Sequence, residues 1–294
     1  MAIGFIGLGN MGEAIVRRLL KKEVVRVFDL REGAREKLAQ AGAKPLASAA
    51  KLARECSIVM TCLPKSEHVG DVLFGRGGVA SALAKDSVVI DMTTGDPSET
   101  VRFAALLKDM GVHFADSPVA GGPHGAAAGT LAMFVGADTS VFDRVAPLLR
   151  IISPNVFHTG DVSTGHVMKL VNNVIASGVR AITFEAITMA VKNGILLETL
   201  ADVLPSGSAR SYTTEVALPQ LLEGKFAANF SIELLVKDLT LATKLGLESK
   251  SPMLLGNMVR ELYQIAGNEL GQDADITKIL RLFERQSGVT VVPG

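Results

Sequence analysis

The feature that most constrains this chain is a group of three glycines directly after its first apolar run. Gly7, Gly9 and Gly12 form the sequence G-L-G-N-M-G, between a β-type run over 2–6 and a helical pattern over 10–21. A strand that ends in a tight glycine turn and continues into a helix is typical of a βαβ unit. The motif therefore predicts a parallel sheet whose first strand lies at residues 2–6.

Two different patterns divide the chain. Over about the first 160 residues, short β-type runs alternate with amphipathic stretches, which favours parallel βαβ units, although the last strands could pair antiparallel. From Thr164 to Lys192 one helical pattern runs without proline, and only helical patterns follow it. At 1.5 Å per residue this helix would be about 43 Å long. We predict an α/β fold in which a Rossmann dinucleotide-binding domain, residues 1–162, precedes an all-α domain, residues 163–294, with the long helix as one wall of an interdomain cleft.

Composition argues against several classes of partner. The 294 residues include 30 Lys and Arg against 30 Asp and Glu, so no basic excess indicates a nucleic-acid partner. Cys56 and Cys62 are the only cysteines, and the five scattered histidines show no metal-ligand spacing. We see neither a signal-peptide pattern nor an apolar run long enough to span a bilayer. We therefore expect no nucleic acid, no membrane and no metal partner, two buried free thiols and a cytoplasmic location.

The glycine motif has the residue types that a dinucleotide pyrophosphate requires. The first glycine permits the tight turn, the second lets the backbone approach the phosphates, and the third lets the helix pack against the strand. Free N–H groups at the helix N-terminus then face the phosphates. The predicted cofactor-binding residues of this turn are Gly7, Leu8, Gly9, Asn10, Met11 and Gly12.

An acidic residue follows at the expected distance. Asp29 stands at the end of the second predicted strand, 17 residues after Gly12. A carboxylate there accepts hydrogen bonds from the adenosine ribose hydroxyls and repels a 2′-phosphate, which favours NAD over NADP. Arg31 and Arg35 are near enough in sequence to leave NADP open. The alternative is a glycine turn that serves packing alone, with Asp29 as a helix cap.

Lys169 and Asn173 lie four residues apart in the long helical pattern, so they share one helix face. Hydride transfer between an alcohol and a carbonyl needs a group that takes or returns the hydroxyl proton, and a desolvated lysine suits that task. The asparagine can hydrogen-bond the same oxygen. The alternative for Lys169 is a surface lysine whose aliphatic stem covers apolar neighbours.

Two further segments are weaker signals. The segment 116–131, D-S-P-V-A-G-G-P-H-G-A-A-A-G-T-L, exposes backbone N–H groups that could hold a small carboxylate, but a flexible surface loop has the same composition. Lys237 lies in a later helical pattern, where a solvated helix face is the common explanation. No spacing marks His124 or His166 as catalytic, so we expect both to be structural or peripheral.

Together these segments resemble the β-hydroxyacid dehydrogenase family over nearly the whole chain. Four motifs carry the resemblance in order: G-F-I-G-L-G-N-M-G, the segment 116–131, the run that ends in K-L-V-N-N, and K-D-L-T-L-A after Phe230. Four ordered motifs are far more specific than any one of them. The family includes 3-hydroxyisobutyrate dehydrogenases, tartronate semialdehyde reductases and relatives of 6-phosphogluconate dehydrogenase.

The resemblance implies a role for each matching residue. Lys169 would be the catalytic acid/base, and Asn173 would contact the reacting end of the substrate. Gly121 and Gly122 would bind the substrate carboxylate, and Lys237 would close over the nicotinamide or the substrate. The implied cofactor contacts outside the glycine turn are Asp29, Arg31, Leu63, Pro64, Thr94 and Lys237.

Two positions depart from the family pattern. Ala120 stands in the substrate-binding motif where serine is usual, so one hydroxyl donor is missing there. Ser163 stands where the catalytic motif often has glycine, and we expect this change to affect loop geometry only. The substrate or its binding pose could therefore differ from the usual one.

We predict an NAD(P)-dependent oxidoreductase that transfers a hydride between nicotinamide and a small β-hydroxyacid or its semialdehyde. The resemblance implies a homodimer or homotetramer. An imine reductase on the same fold is one alternative, but imine reducers of the family usually replace the lysine at position 169. A non-catalytic dinucleotide-binding module is another, and we would expect it to lose Lys169, Asn173 and Lys237.

Overall fold

The computed structural model describes residues 2–292 and divides into two compact units. The first unit ends at Lys169 and the second begins at Leu170, so the division falls inside a helix. This helix, α8 in chain order, spans Thr164–Lys192, the bounds predicted from the sequence. The predicted domain boundary, after residue 162, lies just before the same helix.

Within residues 2–169, strands and helices alternate along the chain. The strands are β1 (Ile3–Ile6), β2 (Val25–Phe28), β3 (Lys44–Pro45), β4 (Ile58–Thr61), β5 (Val88–Asp91), β6 (His113–Asp116), β7 (Val119–Ala120), β8 (Ala132–Gly136) and β9 (Val156–Gly160). The helices are α1 (Asn10–Leu19), α2 (Glu32–Ala39), α3 (Ala49–Glu55), α4 (Ser66–Phe74), α5 (Pro97–Asp109), α6 (Gly122–Ala128) and α7 (Thr139–Ile152).

The strands form one sheet in the order β3-β2-β1-β4-β5-β6-β8-β7, with β9 beside β8. The pairs from β3 to β6 are all parallel, whereas β8 is antiparallel to both β6 and β7. The strand order reverses at β1, as in a doubly wound sheet, and ligands of such sheets bind at the carboxyl ends beside the reversal. The predicted Rossmann fold is confirmed. Strands β3, β7 and β9 are not predicted by the sequence pattern, because two-residue strands have no periodicity and β9 has no buried residue.

Helices cover both faces of the central strands, so these strands are buried along their whole length. Every residue of β1, β4 and β5 is buried. Strands of this kind are almost continuously apolar, because no face meets solvent. The polar exceptions, Thr61 and Asp91, are the last residues of their strands, at the edge where ligands bind.

Residues 170–292 are helical, as predicted. After α8 come α9 (Leu197–Val203), α10 (Leu218–Leu222), α11 (Ile232–Glu248), α12 (Leu254–Leu270) and α13 (Leu280–Ser287), with a π-helical segment at Thr213–Ala217 and short 3-10 segments. Their apolar faces enclose a separate core that includes Phe184, Leu235 and Tyr263. The only β-type pairing described in this range is a single bridge between Ser231 and Asp275.

Helix α8 meets the length and hydropathy criteria of a membrane-spanning segment, and it alone does so among residues 2–292. An 18-residue window within it has a mean hydropathy of 1.5, and one third of that window is buried. The sequence contains no uninterrupted apolar run of this length, because Lys169, Arg180 and Glu185 interrupt the apolar pattern of α8. A core helix that never meets lipid passes the same test.

The turn before α8 has a backbone conformation that disfavours serine. Ser163 has φ = 84°, in the left-handed region where a Cβ crowds the neighbouring carbonyl. Its N–H donates to Asp116 Oδ1 at 2.7 Å, which holds the turn in place. The position at which the sequence departs from the family's glycine is therefore one where glycine is the unstrained residue.

We expect Ser163→Gly to raise the free energy of unfolding by about 1 kcal/mol, because relief of left-handed strain outweighs the greater chain entropy of glycine in the unfolded state. Ser163→Ala is the matched control, since it retains the Cβ and should give no gain. Urea denaturation of both variants provides the measurement. A glycine variant no more stable than the alanine variant would contradict the strain at this turn.

Candidate active site

The glycine turn combines two close backbone contacts with one open position. Gly7 has φ = 97°, and a Cβ there would lie 2.3 Å from the Cys62 carbonyl oxygen. A Cβ on Gly12 would lie 1.9 Å from the Gly7 carbonyl oxygen. A Cβ on Gly9, by contrast, would meet no heavy atom within 4 Å. Packing therefore explains Gly7 and Gly12, whereas the space beside Gly9 is open to a ligand.

The first turn of α1 supplies donors beside that open space. The first main-chain bond of the helix runs from the Glu13 N–H to the Gly9 carbonyl at 2.8 Å. The amides of Asn10, Met11 and Gly12 precede it, so they have no acceptor within the helix. Unused N–H groups and the positive end of the helix dipole, next to space that a side chain would fill, suit a pyrophosphate.

Asp29 lies directly against the glycine turn. Its Oδ2 accepts the Leu8 N–H at 2.7 Å, and its Oδ1 accepts the N–H and Nε of Arg31 at 2.9 and 3.1 Å. Burial opposes ionisation of this carboxyl, but the hydrogen bonds from Arg31 and Leu8 outweigh it and hold the pKa of Asp29 below its ordinary value. Asp29 is therefore an anion fixed beside the turn, and the N-cap of α2 is Arg31 rather than Asp29.

The ends of β4 and β5 are joined by buried hydrogen bonds. Asp91 Oδ1 accepts the Thr61 hydroxyl at 2.8 Å and the Thr93 N–H at 3.0 Å. The Thr93 hydroxyl oxygen in turn accepts the Leu63 N–H at 3.0 Å. Two segments predicted to contact the cofactor, at Leu63 and at Thr94, are therefore held together at one edge of the sheet.

Asp116, the last residue of β6, holds the beginning of α8. Its Oδ1 accepts the Ser163 N–H and its Oδ2 accepts the His166 N–H, each at 2.7 Å. Burial raises the pKa of Asp116, while His166 and these backbone donors oppose the increase. A Cβ on Gly165 would lie 2.7 Å from Asp116 Oδ2, so the helix approaches the carboxylate closely. Lys169, half-buried, follows one turn later on α8.

The predicted carboxylate-binding segment is an ordered turn rather than a structureless loop. Ala120 ends β7 and pairs with Ala132 of β8. Gly121 and Gly122 follow with φ of 121° and 63°, both in the region that favours glycine. The short helix α6 spans Gly122–Ala128, and its C-cap residue, Gly129, is also left-handed with φ = 75°. Two consecutive left-handed glycines turn the backbone sharply, and both positions lack a side chain.

In the helical unit, Asp238 joins two predicted site residues. Its Oδ2 accepts the Asn173 Nδ2–H at 2.6 Å, and its Oδ1 lies 2.9 Å from Lys237 Nζ. Asp238 and Asn173 are buried, and the Lys237 side chain is 18% exposed. The helical pattern alone suggested that Lys237 lies on a solvated helix face. The low exposure of its side chain contradicts that interpretation.

The sequence analysis gave no role to Asp238, although it named its neighbour Lys237. The missed signal is an acidic residue at a buried position of an amphipathic helix, because a buried carboxylate needs partners. Asp116 was likewise noted only as the first letter of a motif. Pro64, in contrast, was named as a cofactor contact and is exposed just after β4.

Among residues 2–292, no group of three or more His, Cys, Asp or Glu side chains has an arrangement that could hold a metal ion. Cys56 and Cys62 are both free. Burial raises the pKa of Cys56 to about 11 and that of Cys62 to about 12, so both remain thiols at neutral pH. They are therefore poor nucleophiles.

Two family models match this chain, one over each of its two predicted domains. A family model described as the NAD binding domain of 6-phosphogluconate dehydrogenase matches residues 2–160. A second, described as NAD-binding of NADP-dependent 3-hydroxyisobutyrate dehydrogenase, matches residues 163–283. The fold and its glycine turn thus define a nicotinamide dinucleotide-binding protein of the dehydrogenase class. The chain belongs to the β-hydroxyacid dehydrogenase family.

Relatives of this chain are similar over their full length. A 2-(hydroxymethyl)glutarate dehydrogenase of Eubacterium barkeri is 35% identical over 99% of this chain and 98% of its own. An NAD-dependent L-serine dehydrogenase of Pseudomonas aeruginosa is 31% identical over 97% of this chain and 99% of its own.

Solved structures separate two branches of the fold. A 3-hydroxyisobutyrate dehydrogenase from Mycobacterium tuberculosis, solved with L-serine, is 29% identical with a TM-score of 0.86, covering 96% of this chain and 98% of that chain. An imine reductase from a Pseudomonas species is 16% identical with a TM-score of 0.63, covering 95% and 98%. The imine reductase shares the fold alone.

We expect Asp238→Asn to lower the free energy of unfolding by about 1–3 kcal/mol, because the amide leaves Lys237 without its counter-charge and turns one N–H donor toward another. Asp202→Asn, at an exposed position of α9, is the matched control and should change little. Urea denaturation measures both. Equal stability of the two variants would show that Asp238 does not hold Asn173 and Lys237 in place.

Proposed function

We propose that this chain is an NAD(P)-dependent dehydrogenase that interconverts a small β-hydroxyacid and its semialdehyde. The observation that carries the proposal is the buried attachment of α8 to the sheet edge. Asp116 holds the start of the helix that bears Lys169, beside the strand ends that carry the predicted cofactor segments. The helix that bears the proposed proton-transfer group is therefore attached to the sheet that carries the proposed dinucleotide-binding segments.

The names of the relatives narrow the substrate class. 2-(Hydroxymethyl)glutarate, L-serine and 3-hydroxyisobutyrate all carry a hydroxymethyl group on the carbon that bears a carboxylate. They differ in the other substituent on that carbon. We infer that the substrate here is also a 2-substituted 3-hydroxypropanoate. Backbone N–H groups at Gly121 and Gly122 would hold its carboxylate, because Ala120 offers no hydroxyl.

The residues of this chain supply the proton transfer and the orientation. Lys169 would take the proton of the substrate hydroxyl during oxidation and return it during reduction. Asn173 donates one Nδ2 hydrogen to Asp238, and its second hydrogen would be available for the substrate oxygen. Lys237, paired with Asp238, would contribute positive charge near the substrate or nicotinamide. Bound NAD(P) supplies the hydride acceptor or donor.

NAD is the proposed physiological cofactor. The anionic Asp29 beside the glycine turn would repel a 2′-phosphate and could accept from ribose hydroxyls. Arg31 is paired with that carboxylate at 3.1 Å, so its charge is partly committed. We expect kcat/KM to favour NAD over NADP by at least about tenfold, the ratio that roughly 1.4 kcal/mol of repulsion produces.

Turnover by the wild type and two lysine variants tests the proposed function. Nicotinamide absorbance at 340 nm would be followed with a panel of 2-substituted 3-hydroxypropanoates and semialdehydes, using both cofactors. We expect Lys169→Ala to lower kcat by about 10²–10⁴-fold, the usual contribution of a general acid or base. Lys192→Ala, at the far end of the same helix, is the matched control and should retain wild-type kcat.

The panel also separates the alternatives. Turnover of imines but not of hydroxyacids would indicate an imine reductase, although Lys169 is retained here. Dinucleotide binding without turnover of any compound would indicate a non-catalytic module. An active Lys169→Ala variant would contradict the assigned acid/base.

We further propose that the chain forms a homodimer or homotetramer through α8. Met168, Ile175, Ile182 and Met189 are 38–60% exposed and recur every seventh residue, so they form one apolar stripe. Exposed apolar stripes of this kind favour association with another protein surface. A second copy of the same helix would present a self-complementary stripe of equal length.

A charged substitution in the stripe tests the oligomer. We expect light scattering coupled to gel filtration to give a multiple of the 30.9 kDa chain mass for the wild type. Ile182→Lys should shift the mass toward the monomer, because a lysine would be desolvated at the interface. Val101→Lys, at a similarly exposed position of α5, is the control and should leave the mass unchanged. A monomeric wild type would contradict the proposal.

We also propose that the protein acts in the cytoplasm. Both cysteines are free thiols, as is usual for proteins of a reducing compartment. Cys56 is buried and Cys62 is half-buried, which limits the access of oxidants to both thiols.

A further inference from the structure

His166 is fully buried and bonded at both ring nitrogens. Nε2 lies 2.7 Å from the Thr93 carbonyl oxygen, and Nδ1 lies 2.7 Å from the Thr100 hydroxyl. A carbonyl can only accept, so Nε2 carries a hydrogen and donates it to Thr93. This holds whichever partner donates in the contact with Thr100.

The ring also contacts the segment around Thr94, a residue that the family resemblance implies is a cofactor contact. A Cβ on Gly95 would lie 3.0 Å from the Cε1 atom of His166, so the backbone packs directly against the imidazole. The Thr93 carbonyl belongs to the peptide unit that leads into Thr94. Its hydrogen bond therefore fixes the orientation of that peptide plane. Asp91 and Asp116 flank the ring at 4.0 Å from Nε2 and Nδ1.

We propose that His166 is a positioning residue for hydride transfer, an inference that rests on the proposed function. Its backbone N–H is held by Asp116 and its ring holds Thr93. Lys169 follows three residues later on the same helix. His166 therefore links the segment that would face the nicotinamide to the helix that bears the proton-transfer group.

Packing alone does not account for this arrangement. An apolar side chain would fill the same volume without the cost of burying two polar nitrogens. The hydrogen bond to Thr93 joins residues 73 positions apart and is directed at main chain rather than at another side chain. Small errors in the relative position of reacting groups cost up to about 10²-fold in rate. A link at this point therefore affects kcat more than it affects substrate affinity.

Two isosteric amides separate the hydrogen bonds of the ring. The amide nitrogen of glutamine can occupy the place of Nε2, and that of asparagine the place of Nδ1. His166→Gln therefore retains the donor to Thr93, whereas His166→Asn retains only a partner for Thr100. Thr100→Val removes the second hydrogen bond and leaves the first. These three variants test which contact matters.

We expect His166→Gln and Thr100→Val to retain kcat within about threefold, and His166→Asn to lose up to about 10²-fold in kcat with little change in KM. Thermal denaturation should show all three variants folded. Equal kcat for the glutamine and asparagine variants would overturn the proposal, as would a loss confined to KM.

Hydrogen exchange of the ligand-free protein gives a readout that does not depend on turnover. We expect faster exchange in the peptide covering residues 92–97 for His166→Asn than for His166→Gln, because only the asparagine variant loses the bond to Thr93. Equal exchange in the two variants would overturn the link. A wild type that turns over no compound of the panel would refute the proposed function, and the exchange result would still decide whether His166 holds this segment.

Discussion

The buried carboxylate of Asp116 is the interaction on which the rest of the site depends. It accepts two main-chain N–H groups of the turn that begins α8, and so attaches the helix to the end of β6. Burial raises the pKa of this group, so the carboxylate is costly to place there. The attachment also dictates neighbouring residues, because Gly165 has no room for a Cβ. Ser163, whose N–H donates to Asp116, has a strained φ of 84° in the same turn.

The glycine turn shows that packing and binding explanations apply to different residues of one motif. Gly7 and Gly12 approach the backbone of neighbouring segments so closely that any larger residue would force the strand and helix apart. Gly9 contacts nothing where its Cβ would lie, so packing does not require it. If the turn served packing alone, alanine or serine would fit at position 9 as well as glycine does. The unexplained glycine is therefore the one that indicates a ligand.

Periodicity and local motifs were sufficient to predict a mostly parallel sheet over about the first 160 residues, the bounds of α8 and the positions of Lys169 and Asn173 on one helix. They were insufficient to predict the hydrogen-bond partners of Asp238 and His166. Asp238 bonds Asn173 across 65 positions, and His166 bonds Thr93 across 73. The structural role of each residue depends on a hydrogen-bond partner that is distant in sequence and comes near only in the folded chain. Local patterns reveal which face of an element is buried, but they do not reveal what a buried polar group will meet.

Two buried acidic groups, Asp116 and Asp238, bond to residues of the candidate site. Both oxygens of Asp116 accept main-chain N–H groups. Asp238 accepts from Asn173 with Oδ2, and its Oδ1 lies 2.9 Å from Lys237 Nζ. Protonation of either oxygen of Asp116 would disturb a hydrogen bond that holds the start of α8. The proposed proton transfer is assigned to a group on the helix that these carboxylates contact. Lys169, one turn beyond the Asp116 attachment on α8, is the residue proposed for that role.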